Sequence, residues 1–423
     1  MRLTSTRNPA VSATFAQAVL ANTPGDGGLY MPAAWPALPD LEDLLALPWD
    51  ARNPVLLGRI LGDAFLPGEV EAMAREAFTF PAPLVQVEDG LFALELFHGP
   101  TLAFKDFGAR FLAAVLARIS PGPRTILTAT SGDTGAAVAS AFWRRPGFRA
   151  VVLYPQGRVS PLQERQIACL GDNVEALAVQ GSFDDCQTLV KACFQDAGLS
   201  AQAGLTSANS INIARLVAQV LYYVEAVAQL RDRGIRQRPL VSVPSGNFGN
   251  LCAGFLAAGL GLPVSFVAAT NANRTVPDHL ETGAYAPRPS LATLSNAMDV
   301  GDPSNWERIL HLHGGDLDAL RRNLRWGSQD DAATLASLAE LRARGYTADP
   351  HAAVAYGQLR RVLEPGRPGI FLGTAHPAKF QAILEARLGW EIPLPPALAE
   401  LEGRPLHTRP LPADANLLKR ELA

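Results

Sequence analysis

The chain has 423 residues, enough for two or three domains at about 100 to 200 residues each. An apolar fraction of 48% can fill such cores, whereas 18% charged residues and a formal net charge of -3 give no polyanion-binding surface, so nucleic acid is not expected as a partner. No stretch reaches the roughly 18 apolar residues of a membrane span, and the longer runs, such as 251–269, are broken by glycine and proline.

The N-terminus has no uninterrupted apolar core ahead of a small-residue cleavage site and reads as mature protein. Cys169, Cys186, Cys193 and Cys252 show neither zinc-site spacing nor a disulfide framework, which points to a reducing cytosol and to no metal. A first helix is expected from about Ser12 to Leu20, then a glycine turn at Gly25, Gly27 and Gly28 into a short strand ending at Pro32. LEDLLAL and PGEVEAMAREAF carry helical spacing, the second with proline in its first turn, so residues 1–80 read as a mostly helical cap. LVQVEDGLFALELF places Asp-Gly between two alternating segments and predicts a hairpin.

From Pro123 onward, short Val/Ile/Leu runs alternate with helices. RTILTAT, FRAVVLYP and NVEALAVQG are strands, each followed by a helix. A long amphipathic helix beginning at INIARL opens a second series with strands PLVSVPS and VSFVAATN. The interval His279 to Asp330 is less regular; helices follow at DDAATLASLAELRARG and HAAVAYGQLRRVLEP, and then a strand in GIFLGTAHPAKF. The pattern predicts an α/β protein with two open, mostly parallel lobes. The larger takes residues 81–122 and 226–394, with an irregular, partly helical insertion at about 279–345. The smaller takes 123–225, and 395–423 form a C-terminal tail with a short final helix.

Five stretches carry candidate chemistry. Lys105 stands at a helix start in HGPTLAFKDFG; a lysine there ordinarily sends its head to water, but among Phe104, Phe107, Phe111 and Leu112 desolvation would free the amine as a nucleophile or Schiff-base former. PSGNFGN, with Ser245, Gly246, Asn247, Phe248, Gly249 and Asn250, lies between a strand and a helix, where backbone N–H groups meet a phosphate or simply make a tight turn. It lacks the dinucleotide fingerprint and the P-loop lysine, so one phosphate is expected. ATSGDTG has the same setting, but the Asp133 carboxylate would repel an anion. Ser131, Gly132 and Thr134 are therefore read as binding a carboxylate or cofactor oxygen while Asp133 shapes the loop, the alternative being a helix cap. TSANSINIARL crowds Ser207, Asn209, Ser210 and Asn212 before a helix carrying Arg215. GTAHPAKF puts Thr374 at the carboxyl edge of a strand, with His376 and Lys379 beyond it.

Together ELFHGPTLAFKDFG, LTATSGDTGAA, YPQGRVSPLQE, TSANSINIARL, VSVPSGNFGN, AATNANRTVP, TLSNAMDVGDPSNW, PHAAVAYG and LGTAHPAKF resemble the longer, bacterial and fungal branch of the threonine synthases, among the fold-type II pyridoxal-phosphate enzymes. The resemblance implies that Lys105 is the Schiff-base lysine for pyridoxal 5'-phosphate, that Ser245 to Asn250 hold the cofactor phosphate, and that Thr374 faces its ring nitrogen. It implies a substrate carboxylate site at Thr130, Ser131, Asp133 and Thr134, further contacts from Asn209, Asn212 and Arg215, and Arg158 and Lys379 as candidates for the substrate phosphate. Asn250 stands where family members often carry aspartate, and Gln156 where a basic residue is common. The implied reaction takes O-phospho-L-homoserine and water to L-threonine and phosphate, in a cytoplasmic enzyme without membrane partners. A monomer is favoured over a homodimer. A paralogue limited to phosphate elimination or deamination is the runner-up, and a catalytically silent interaction protein on the same scaffold the remaining alternative.

Overall fold

The computed structural model describes all 423 residues. The chain opens with β1 (Arg2–Ser5), β2 (Ser12–Thr14) and β3 (Tyr30–Pro32), a small antiparallel sheet in the order β2-β1-β3. Hairpin strands β4 (Leu84–Glu88) and β5 (Leu91–Glu95) follow, then β6 (Arg124–Ala129), β7 (Phe148–Pro155), β8 (Val174–Gln180) and β9 (Leu205–Thr206). The last group is β10 (Leu240–Pro244), β11 (Ser265–Thr270), β12 (Leu324–Ser328), β13 (Gly369–Gly373) and β14 (Thr408–Pro412). The larger lobe is a six-stranded sheet, β12-β11-β10-β13-β5-β4, parallel except for the hairpin partner β4. The smaller is an all-parallel five-stranded sheet, β14-β8-β7-β6-β9.

Strand periodicity explains how the core divides. Phe92, Leu94, Val241, Val243, Ile370 and Leu372 face a continuous core shared with the small lobe and the cap, while the alternating Leu91, Ala93, Leu240 and Phe371 face a second cluster under the Pro350–Val362 helix. Leu127, Val151, Leu153 and Leu177 cover the outer face of the small sheet. Both faces of each sheet are therefore dry, which suits strands with continuous apolar runs.

Several local expectations change. Ser12 to Thr14 pair as a strand, and the first helix is Phe15–Ala21, capped reciprocally by Thr14 and Gln17. The cap also contains helix Trp49–Leu61, whose Pro54 obscured it, and its sheet makes it less helical than expected. The interval read as irregular supplies the edge strand β12. The tail does not merely cross the surface, because β14 pairs along β8 and extends the small sheet. The boundary placed at 225/226 falls inside the helix Ile213–Asp232. That helix is long and apolar enough to cross a membrane by length and composition, although Arg215 and Glu225 interrupt it, and it lies buried against the helices Lys105–Ile119 and Gly249–Gly259.

Candidate active site

The approach to Lys105 is built from polar pairs inside the core. Thr101 donates from its amide (2.8 Å) and its hydroxyl (2.7 Å) to the two oxygens of Asp106, fixing the turn that precedes the helix Lys105–Ile119. Gly99 is required here, since a Cβ would lie 2.5 Å from Asp106 Oδ2. Burial pushes the Asp106 carboxyl up to about 6, against the pull of its Thr101 bonds. Leu102 adopts φ 56°, one of only five non-glycine residues with positive φ. A bulky side chain tolerates that conformation only where the surroundings over-determine it.

Those surroundings are the segment after β13. Leu96 N–H donates to Gly373 O (2.8 Å), Phe104 N–H to Thr374 O (2.9 Å) and His376 N–H to Leu102 O (3.0 Å). Ala103 and Ala375 form an antiparallel bridge. Thr374 and Lys105, separated by hundreds of residues in sequence, are thereby held by one short backbone ladder at the carboxyl edge of the large sheet. Lys105 is half-buried, with Nζ 5.7 Å from the centroid of the Phe104 ring. Desolvation pushes its amine down to about 8, with Arg215 and Lys379 acting in the same direction and Asp133 opposing.

At the neighbouring strand end, the Ser245 hydroxyl donates to Val243 O (2.9 Å) and its amide to Ala269 O (2.8 Å). Phe248, at φ 60°, turns the chain into the helix Gly249–Gly259. The amides of Gly246, Asn247, Phe248 and Gly249 donate to no backbone carbonyl; Cys252 N–H, bonded to Phe248 O at 2.9 Å, begins the helical ladder. Unpaired amides at the start of an apolar helix form a nest for one phosphate. The Asn247 side chain ties this loop down, donating to Ser210 Oγ (2.6 Å) and accepting from Ser304 N–H (2.6 Å). Asn250 belongs to the loop only through its backbone. Its Oδ1 accepts from the Tyr222 (2.6 Å) and Tyr223 (2.7 Å) hydroxyls in the core.

The small lobe brings the SGDTG turn to the same cleft, at the start of the helix Asp133–Phe142. Thr130 is internal to the turn, its hydroxyl accepting from the amides of Gly132 (2.9 Å) and Gly135 (2.8 Å). Ser131 and Thr134 are half-buried at its mouth. Asp133 is turned aside and pairs with Lys379 at 2.6 Å, while Gln163 Nε2 donates to it at 3.0 Å. Lys379 also donates to Thr101 O (3.0 Å), one turn from Lys105.

The remaining sequence candidates separate. Arg215 is buried, donates from Nη1 only to Ala208 O (2.7 Å), leaves Nε without a partner and has no carboxylate. Burial pushes it down to about 10. Asn209 accepts from the Thr128 hydroxyl (2.9 Å) beneath the SGDTG turn. Asn212 caps the helix Ile213–Asp232 and donates to Val19 O (3.0 Å), a structural role. Arg158 is exposed in the turn after β7 and is not brought to the cluster. Sequence reasoning missed Gln163 and Gln166, whose Nε2 donates to Thr101 O (3.0 Å), and also Arg308, which donates to Tyr30 O, Ile211 O and Asn305 Oδ1. Asn305 in turn donates to Asn247 O (3.1 Å). Only the motif spacing of QERQ and PSNWER could have flagged them.

A desolvated lysine, a run of unpaired amides at a helix start and a buried threonine, all at the carboxyl edge of the large sheet, suit pyridoxal 5'-phosphate, and residues 78–369 match the model of the pyridoxal-phosphate dependent enzymes. Fold and site thus define a fold-type II pyridoxal-phosphate enzyme. Residues 2–57 and 352–421 match the models of the threonine synthase N terminus and the threonine synthase C-terminal region. Threonine synthase from Escherichia coli is 49% identical over 99% of both chains. Its crystal structure superposes with a TM-score of 0.95, covering 100% of this chain and 99% of that one. Pyridoxal-phosphate-bound threonine synthase from Brucella melitensis gives a TM-score of 0.94 at 35% identity, covering 100% and 98%. The chain belongs to the threonine synthase family.

Proposed function

We infer that the chain catalyses the conversion of O-phospho-L-homoserine and water into L-threonine and phosphate. The observation that carries this reading, beside the full-length family relationship, is an uncompensated buried guanidinium, Arg215, next to the reactive lysine. A buried cation without a carboxylate is costly unless an anionic ligand completes it. A phosphorylated substrate supplies that anion.

The amides of Gly246 to Gly249 would hold the cofactor phosphate, Thr374 would face the ring nitrogen, and Lys105 would bond the cofactor covalently. When bound, pyridoxal phosphate withdraws electrons from the substrate's α-carbon and makes its α and β protons removable. Ser131, Thr134 and the start of their helix orient the α-carboxylate. The Lys105 amine, with a free-base fraction near neutral pH, takes the α-proton and returns one later. After a β-proton has been removed, Arg215 steadies the phosphate as it leaves the γ-carbon with the bonding electron pair; a proton then returns to the γ-carbon, and water adds its hydroxyl at the β-carbon while its remaining proton balances the one returned at the α-carbon. The buried Asp133–Lys379 pair keeps bulk water out between the lobes. Arg158 would act only if lobe closure carried its turn inward.

This reading expects a cytoplasmic enzyme acting on a small molecule as a monomer, with a homodimer as the alternative; the four buried, unpaired cysteines support a reducing compartment. The deciding test is Lys105→Ala. Loss of both the covalent cofactor absorbance and threonine formation is expected, and normal turnover would overturn the reading. Assaying phosphate, threonine and 2-oxobutyrate from one reaction distinguishes synthesis from elimination or deamination.

A further inference from the structure

Two of the sequence motifs, PHAAVAYG and TLSNAMDV, hold no residue that the mechanism uses, yet they meet beneath the phosphate nest. Asp349 and His351 are 0% and 3% exposed at the start of the helix Pro350–Val362. Asp349 Oδ1 accepts from His351 N–H (2.8 Å) and lies 2.6 Å from His351 Nδ1, while its Oδ2 has no partner. The other ring nitrogen, Nε2, is 3.2 Å from the backbone nitrogen of Ala297. An amide N–H can only donate, so Nε2 carries the lone pair, the ring proton stays on Nδ1, and Nδ1–H donates a hydrogen bond to Asp349. His351 is thus a neutral acceptor, locked in one tautomer and packed edge-on against Phe380 at 5.1 Å.

The Ala297 turn bears directly on the nest. A Cβ on Gly246 would fall 2.6 Å from Met298 Cα and 3.0 Å from Ala297 O, so the two backbones touch with no room for a side chain. The far side of the turn is anchored to the end of β11. Asn271 Nδ2 (2.8 Å) and Asn273 Nδ2 (3.2 Å) donate to Asp299 Oδ1, which Thr293 Oγ1 also reaches at 2.7 Å. His351 is the polar contact on the opposite side, from the large lobe's covering helix. Moving the Ala297 amide would move Met298, and with it the Gly246 amide at the mouth of the nest.

We propose that the Asp349–His351 pair is a positioning device for the cofactor phosphate, in which His351 Nε2 sets the height of the Ala297–Met298 turn against Gly246. It acts through backbone and touches neither cofactor nor substrate. The proposal rests on the assignment of Gly246 to Gly249 as the phosphate nest.

The two halves of the ring's function can be separated by substitution. Glutamine places an acceptor near the Nε2 position, whereas asparagine preserves only a donor near Nδ1. Apoprotein variants His351→Gln, His351→Asn and His351→Leu are titrated with pyridoxal 5'-phosphate by absorbance, with melting by circular dichroism as the check on folding. Expected is an affinity for His351→Gln close to that of the unsubstituted protein, and a loss of about tenfold or more for asparagine and leucine, the size of one missing hydrogen bond transmitted to the nest. KM for the phosphorylated substrate at saturating cofactor should stay unchanged. If leucine unfolds the protein, the glutamine and asparagine comparison decides alone. Unsubstituted affinity in His351→Asn, or a glutamine variant as weak as the asparagine one, overturns the proposal. Failure of the unsubstituted protein to bind the cofactor removes the nest assignment itself, and the proposal with it.

Discussion

Lys379 Nζ lies 2.6 Å from Asp133 Oδ1, with the two side chains 0% and 4% exposed, and the pair joins the segment after β13 in the large lobe to the SGDTG helix in the small one. Burial alone would raise the Asp133 carboxyl, but the Lys379 and Lys105 ammoniums and the bond from Gln163 hold it well below the usual carboxylate range. A depressed carboxyl contributes stability that is present above its unfolded value of 3.8 and lost only as pH falls through the folded one, so the pair is intact at neutral pH. Lys379 is already neutralised and is a poor free cation for substrate phosphate.

The first prediction concerns this pair as a unit. Asp133→Asn and Lys379→Met each strand a buried group and should cost about 3 to 5 kcal/mol of stability. Each should also raise KM for the substrate by about tenfold or more if the SGDTG turn binds the α-carboxylate as proposed, because that turn loses its seat. The double variant should be no worse than the poorer single one. Thermal melts and steady-state kinetics measure both, and multiplicative kinetic effects would mean that the two residues act separately.

A second prediction follows from Lys105, whose amine desolvation pushes down to about 8. Only the unprotonated amine condenses with an aldehyde, so covalent uptake of pyridoxal phosphate by the apoprotein should accelerate as pH rises and level off above about 8. Reconstitution rates followed by absorbance give the inflection. A value near 10, that of an ordinary lysine, would contradict the desolvated setting.

Thr374 allows side chain and backbone to be separated. Its carbonyl accepts from Phe104 N–H, so Thr374→Val keeps the ladder that positions Lys105 and removes only the hydroxyl. Cofactor binding should persist while kcat falls by up to about tenfold, the value of one hydrogen bond between neutral groups. An unchanged kcat would remove Thr374 from the ring-nitrogen site.

Arg215 should trade stability against binding. In Arg215→Met the substrate's KM should rise at least about tenfold, while the ligand-free protein should lose no more than about 1 kcal/mol, since the removed charge had no carboxylate to abandon. Melting of the cofactor-loaded proteins, whose nest is already filled, with and without inorganic phosphate measures the second effect, and phosphate should stabilise only the unsubstituted protein. Equal stabilisation of both would place the substrate phosphate elsewhere.

Much of the fold was legible because its strands are apolar runs and its helices periodic. The alternation from β6 onward gave two parallel lobes, and the Asp-Gly hairpin gave β4 and β5. What misled were weakly patterned segments. β12 and β14 are edge strands with polar and proline residues, LRWGS and TRPLP, whose assignment depends on a neighbouring strand offering its free edge. Helix Trp49–Leu61 was hidden by its internal proline.

The site divides in the same way. Residue types in local turns were enough to single out Lys105, the loop from Ser245 to Asn250, the SGDTG turn and Thr374, because strand-to-helix turns rich in glycine leave amides unpaired wherever they occur. The direction in which each side chain points was not determined locally. Asn250 turns to the tyrosines, Asp133 to Lys379, and Asn212 to Val19, while Arg215 keeps no counterion. The sequence by itself determined which groups are available and on which turns they sit. Only the tertiary structure decided which partners those groups meet, because buried polar atoms settle on whatever donor or acceptor the packing of distant segments brings within about 3 Å.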